Sequence, residues 1–241
     1  MNKGRPLVSV IIPTKNEAKL LPGCLASLAR QRTQVPYEII VVDTDSADGT
    51  SRVARSCGAK VIREPRKGKV HAFRKGVSRA GGQILCFTEA DCVVPPHWIE
   101  VICEHFEHHP EAAAVMGDYG FHSSTIFYNA LSRVTHPILR WGWWLWFGHH
   151  SLRATNFAIR KDVYEKAGGF SQRTPELYDV DLSRRVAKVG KIHFLSSMRN
   201  QTSDRRVRGR FLRFVSEFIP TFWTVVIARK RLKQQTYQDI R

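Results

Sequence analysis

A chain of 241 residues, 43% hydrophobic and 24% charged, can bury a sizeable core and is too apolar to be disordered. Its formal net charge of +17 calls for an anionic partner: nucleic acid, a phosphorylated substrate or an anionic lipid surface. The excess is uneven, because residues 199–241 carry 11 basic and 3 acidic side chains.

In chain order, Leu7–Ile12 is short and β-branched and predicts a strand, with Pro13-Thr14-Lys15-Asn16-Glu17 as the turn after it. Leu21, Cys24, Leu25 and Leu28 lie on one face of a helix that tolerates Pro22 only in its first turn. Tyr37–Val42 is the second strand, and Asp43 opens the polar loop Asp43-Thr44-Asp45-Ser46-Ala47-Asp48-Gly49-Thr50. The next helix closes at Gly58. A third strand, Ala59–Arg63, leads to the basic loop Arg66-Lys67-Gly68-Lys69, and Val70, Phe73, Val77 and Ala80 recur at helical spacing beyond it. The buried run Gln83–Thr88 stops at Glu89-Ala90-Asp91, and a helix with Ile99, Ile102 and Phe106 on one face follows Pro95-Pro96.

This alternation predicts an α/β fold with a parallel sheet and helices on both faces. All strands then end on one edge, where ligands bind. Four polar clusters therefore face one crevice: Pro13–Glu17, Asp43–Asp48, Arg66–Lys69 and Glu89–Asp91. Two acids at a strand end suit a hard divalent cation that leaves room for phosphates, although a solvated turn also carries acids. Acids for base and ribose, cations for phosphate and a metal pair together suit a nucleoside diphosphate.

Five cysteines, an odd number without a CxxC pair, predict reduced packing residues. The first apolar run is too short for a signal peptide, so the expected location is cytoplasmic. His105 and His109 share a helix face without the glutamate of a zinc-protease motif, and a solvated helix end is the expectation. No GxGxxG follows a strand and no Walker loop occurs, which argues against a Rossmann dehydrogenase, a methyltransferase or a P-loop enzyme.

The run Val8–Glu17, then Ile39–Asp43 with Ser46–Thr50, then Glu89-Ala90-Asp91, resembles glycosyltransferase family 2, of the GT-A fold, over roughly residues 7–195. The resemblance implies a mostly parallel Rossmann-like sheet and inverting, hexosyltransferase-like transfer of a sugar from a UDP- or GDP-sugar, with Mg²⁺ or Mn²⁺. It places Pro13, Glu17 and Asp43 at the base, with Asp45 in the same donor loop. Asp91 would hold the metal, and Glu89 would lie near ribose or metal. Lys69 is a candidate for the phosphates, as are Arg205 and Arg206 on the analogy of a basic C-terminal motif. Pro175-Glu176-Leu177-Tyr178-Asp179-Val180-Asp181-Leu182 resembles the family's Glu-Asp-x-Asp-Leu segment, with Asp179 the candidate general base, Glu176 an alternative and Asp181 at the helix start. The chain departs from the family at Thr44-Asp45, at Glu89 and at Tyr178. The Gln-x-x-Arg-Trp of processive synthases is absent, which implies single additions.

The resemblance divides the chain into 1–198, the transferase domain (donor half 1–118, acceptor half 119–198), and a basic apolar tail, 199–241. Four of six tryptophans fall within Trp141–Trp146, which fits a membrane interface, a sugar platform or core. The tail's basic ends around an aromatic middle fit a segment lying on an anionic membrane, at the inner face of the cell membrane. The expected acceptor is a lipid-linked or cell-envelope glycan, including polyprenyl phosphate, with no nucleic acid as partner. A basic nucleic-acid-binding protein and an inactive sugar-nucleotide binder are the alternatives.

Overall fold

The structure is a computed structural model and describes residues 6–121, 126–175 and 177–206. Two compact units divide after Ser203; of the second, Asp204–Arg241, only the short turn Asp204–Arg206 is described. The apolar tail beyond Arg206, and Glu176, lie outside the described residues.

The first unit begins β1 (Val8–Thr14), α1 (Leu21–Ala29), β2 (Tyr37–Asp43), α2 (Thr50–Ser56), β3 (Lys60–Arg63), α3 (Lys69–Val77) and β4 (Ile84–Thr88). It continues with β5 (Cys92–Val93), α4 (Trp98–His108), β6 (Ala112–Met116), β7 (Tyr119–Phe121) and α5 (Ile126–Phe147). The last elements are β8 (Asn156–Arg160), α6 (Lys161–Lys166), α7 (Tyr178–Val186), β9 (Lys191–Phe194) and β10 (Asn200–Thr202). The main sheet has the order β3-β2-β1-β4-β8-β6-β9. Only β8 runs against its neighbours; every other pairing in this sheet is parallel.

The strands are apolar on both sides because both faces are covered. Val8, Val10 and Ile12 pack with Leu21, Leu25, Leu28, Trp98 and Ile102 on one face. Ile11, Leu85 and Phe87 pack with Phe73, Tyr164, Phe170 and Leu182 on the other. The second core is a nest of rings. Phe87 stacks on Phe157 with centroids 4.5 Å apart and meets Phe73 and Phe170 edge-on at 5.4 and 5.3 Å.

Pro13 sits in a central strand, where a missing N–H normally costs a ladder bond. The Thr14 carbonyl accepts from the Thr44 N–H at 3.0 Å, which turns the backbone groups of Pro13 toward β4. Pairing with β4 has already ended at Ile11–Phe87, so no hydrogen bond is lost.

A second sheet, β5-β10-β7, lies beside the strand ends. β10, within the 199–241 segment, pairs antiparallel with β5 and parallel with β7. The backbone is tight there. A Cβ at Gly117 would lie 2.2 Å from the Met198 carbonyl oxygen, so only glycine lets these segments approach.

Candidate active site

Asp43 ends β2 and Glu89 follows β4, and only β1 lies between those strands. Their lateral separation is therefore about 10 Å, two inter-strand spacings. Asp43 is buried, and its carboxylate accepts from the Ser46 backbone N–H at 3.2 Å and from the Ser46 and Ser51 hydroxyls. Asn16 and Asp48 tie the loops after β1 and β2 together. The Ala47 N–H donates to Asn16 Oδ1 at 2.9 Å and the Ala18 N–H to Asp48 Oδ2 at 3.0 Å. Burial works against ionisation of Asp48, but hydrogen bonds from Thr50 and Ala18 outweigh it and hold the carboxyl below its usual range. The Glu17 N–H donates to Thr50 Oγ1 at 2.8 Å, which fixes that residue's backbone at the start of α2. Asp45, at φ 55°, pairs with Arg63 at 2.6 Å.

Lys69 is the first residue of α3, after Gly68 at φ 108°, a conformation that suits glycine. Its Nζ lies 2.6 Å from Glu89 Oε1. Arg66, from the same basic loop, folds back instead onto Glu64 with two side-chain hydrogen bonds of 2.8 and 2.7 Å. Asp91 and Glu89 are 6% and 8% exposed, so both carboxylates are set into the rim and not into a solvated turn. The Thr202 hydroxyl, brought in by β10, lies 3.4 Å from Asp91 Oδ1.

Asp179 and Asp181 occupy the first turn of α7, where the helix dipole favours acids. Asp181 pairs with Arg185 one turn on, at 2.6 Å. Asp179 lies instead within electrostatic reach of Lys69 and Arg153. Burial pushes its carboxyl above the usual value, while the Val180 N–H at 2.9 Å and the nearby charges of Lys69 and Arg153 oppose the rise. Lys69 thus pairs with Glu89 and also acts electrostatically on Asp179. The Tyr178 ring packs on Phe73 and Phe170, both at 5.7 Å, so the departure from glutamate there serves the core.

Sequence reasoning missed Arg153, whose charge reaches Asp179, and the cluster of charges around Asp118. Arg153 lies 3.6 Å from Asp118 Oδ1 and 5.5 Å over the Tyr119 ring. Asp118 also meets His136 at 2.7 Å and Arg140 at 3.7 Å. No local motif marks these residues. Arg205 and Arg206 belong to the second unit. A shallow groove of about 610 Å³ lined by Arg74, Lys75, Tyr164 and Gln172 contains none of the strand-end acids.

Trp141, Trp144 and Trp146 of α5 are 58%, 41% and 71% exposed, so they are not core. Val134, Ile138, Leu139 and Leu145 are exposed beside them. Among the described residues no helix is long and apolar enough to cross a membrane. All five cysteines are free, three of them buried, and burial raises the Cys92 thiol to about 12, which leaves it an inert packing group.

Residues 9–172 match the model of glycosyl transferase family 2. The probable glycosyltransferase YdaM of Bacillus subtilis is 28% identical over 203 residues, covering 78% of this chain and 48% of its own length. The glycosyltransferase AglE of Haloferax volcanii is 35% identical over 107 residues, covering 42% and 35%. The 4,4'-diaponeurosporenoate glycosyltransferase of Staphylococcus haemolyticus is 39% identical over 107 residues, covering 41% and 28%. The chain thus spans less than half the length of these relatives. Among solved structures, the mannosyltransferase PcManGT of Pyrobaculum calidifontis, in complex with GDP-Man and Mn²⁺, superposes with a TM-score of 0.64 at 21% identity, over 94% of this chain and 70% of that one. The S. aureus TarS fragment 1–349 in complex with UDP-GlcNAc gives 0.61 at 19%, over 81% and 58%. Such identities bear on the fold, which is that of the GT-A transferases. With a family model matched over most of its length, the chain belongs to glycosyl transferase family 2.

Proposed function

We propose that the protein is a metal-dependent, inverting glycosyltransferase that moves a sugar from a nucleoside diphosphate donor to a lipid-linked or cell-envelope acceptor. The observation that carries the reading is the position of Lys69, which pairs with Glu89 and lies close enough to Asp179 to bias its ionisation. Residues 1–118 form the donor half and 119–198 the acceptor half; residues 199–241 add a basic membrane-facing tail.

On the donor side, Pro13, Glu17 and Asp43 hold the base, and Asp45 lies at the loop's outer edge. Glu89, Asp91 and the Thr202 hydroxyl form an oxygen-only set, which fits Mg²⁺ or Mn²⁺ and not a thiophilic ion. Such a cation supplies neutralisation of charge on the departing diphosphate. Asp91 is the carboxylate for it, since one oxygen of Glu89 is engaged by Lys69. Lys69, at the same rim, balances the phosphate charge.

Asp179 accepts the proton of the acceptor hydroxyl as that oxygen forms its bond to the anomeric carbon. The bond from that carbon to the diphosphate breaks on the opposite face, and its electron pair leaves with the nucleotide. A single displacement of this kind inverts the anomeric centre. The exposed apolar face of α5 lies flat on an anionic bilayer and offers a lipid-linked acceptor to the site.

The reading is tested with a panel of UDP- and GDP-sugars and Mn²⁺, scored by thermal shift and by sugar transfer. At least one donor should raise the melting temperature only with the metal, and Asp91→Ala should abolish both effects. Undiminished metal-dependent transfer by Asp91→Ala would overturn the site. Donor binding without turnover on any acceptor would favour an inactive binder.

A further inference from the structure

We propose that His105, His109 and His193 form a second metal site, one for Zn²⁺ or a similar borderline transition ion, separate from the acidic rim. His105 and His109 are one turn apart at the end of α4. His193 comes from β9, the edge strand of the main sheet. One ring nitrogen from each of the three lies within 4.8 Å of the other two. His105 Nε2 and His193 Nδ1 are already 2.8 Å apart.

The second nitrogens of His193 and His109 both face a carboxylate. With His193 Nδ1 turned to His105, its Nε2 faces Glu111 Oε1 at 3.9 Å. His109 Nδ1 faces the same oxygen at 3.3 Å, which leaves its Nε2 for the ion. A carboxylate that accepts from a non-ligating nitrogen, as Glu111 can from His109, fixes ring orientation and strengthens the ligand. Tetrahedral Zn²⁺ at ~2.0–2.1 Å from each nitrogen sets them ~3.3–3.4 Å apart, so the 2.8 Å contact opens by about half an ångström. Water completes the fourth position.

Charge favours a cation here in an otherwise basic protein. The negative end of the α4 dipole lies beside His109, and Glu104 and Glu107 precede it on the same helix. Imidazole suits zinc, nickel and copper, whereas Mg²⁺ and Mn²⁺ prefer the acids. The two sites are also far apart. The first turn of α4 carries Trp98, which bonds to Asn156 beside the rim, and eleven residues of helix put His109 about 16 Å away. A bound ion would clip the end of α4 to an edge strand.

The test titrates Zn²⁺ into the full chain in the presence of excess Mg²⁺, by calorimetry and thermal shift, with Co²⁺ as the spectroscopic probe. One ion per chain should bind, raise the melting temperature and give the strong visible bands of tetrahedral Co²⁺. His109→Ala removes an exposed ligand and should weaken binding at least ~10-fold, and Glu111→Gln should weaken it less. Asp91→Ala should leave it unchanged. Equal Zn²⁺ affinity in His109→Ala and His193→Ala, loss in Asp91→Ala, or no binding to the unaltered chain would overturn the site.

Discussion

Asp179→Asn tests the proposed base without disturbing the fold. Asparagine keeps the Oδ1 that accepts from the Val180 N–H at 2.9 Å, so the first turn of α7 retains its hydrogen bond. Only the proton-accepting charge is lost. A positioned base contributes ~10²–10⁴ in rate, so transfer should fall by that factor, about 3–5 kcal/mol of activation free energy. Donor affinity should hold. The pH profile supplies an independent check. Asp179 must be ionised to act and burial raises its pKa, so the acid limb should lie above the ordinary carboxylate range. Lys69→Met removes a charge that opposes the rise, and the limb should move to higher pH. Stability should shift the other way from activity. A carboxyl whose folded pKa exceeds its unfolded one loses stability as pH rises between those two values. The asparagine variant escapes this loss and should melt higher than the wild type at neutral pH. Transfer by Asp179→Asn within about tenfold of the wild type, with an unchanged acid limb, would refute the role.

Three further outcomes are expected. Phe87→Ala removes the ring at the centre of the aromatic nest and should cost ~3–5 kcal/mol, a fall of roughly 6–20 °C in Tm by calorimetry. Glu64, paired with Arg66, has its carboxyl held down at about 2, so its contribution is present above the normal carboxylate pKa and is lost as pH falls from about 4.5 toward 2. Arg66→Ala should therefore move the acid-unfolding midpoint to higher pH; an unmoved midpoint would mean the pair contributes nothing. Leu145→Glu with Trp146→Glu should reduce flotation with anionic vesicles, and equal flotation would remove α5 from the membrane reading.

The sequence by itself determined the alternation of strands and helices through residue 108 and the polar turn after each strand. Both follow from periodicity and turn chemistry, which a short window of residues contains. Parallel crossovers then oblige Asp43, Lys69, Glu89 and Asp91 to share an edge, so that part of the site was legible without coordinates. Tertiary structure decided what depends on distant segments meeting. β8 enters reversed between β4 and β6, and no local pattern encodes a strand's direction. β10 carries Thr202 to Asp91 across 111 residues of chain. His193 turns the pair His105 and His109, readable only as a helix end, into a cluster of three. The tryptophans of α5 fit three environments until the packing left most of them outside. A side chain's chemistry is written in the sequence, but its neighbours are chosen by which apolar faces can be buried together.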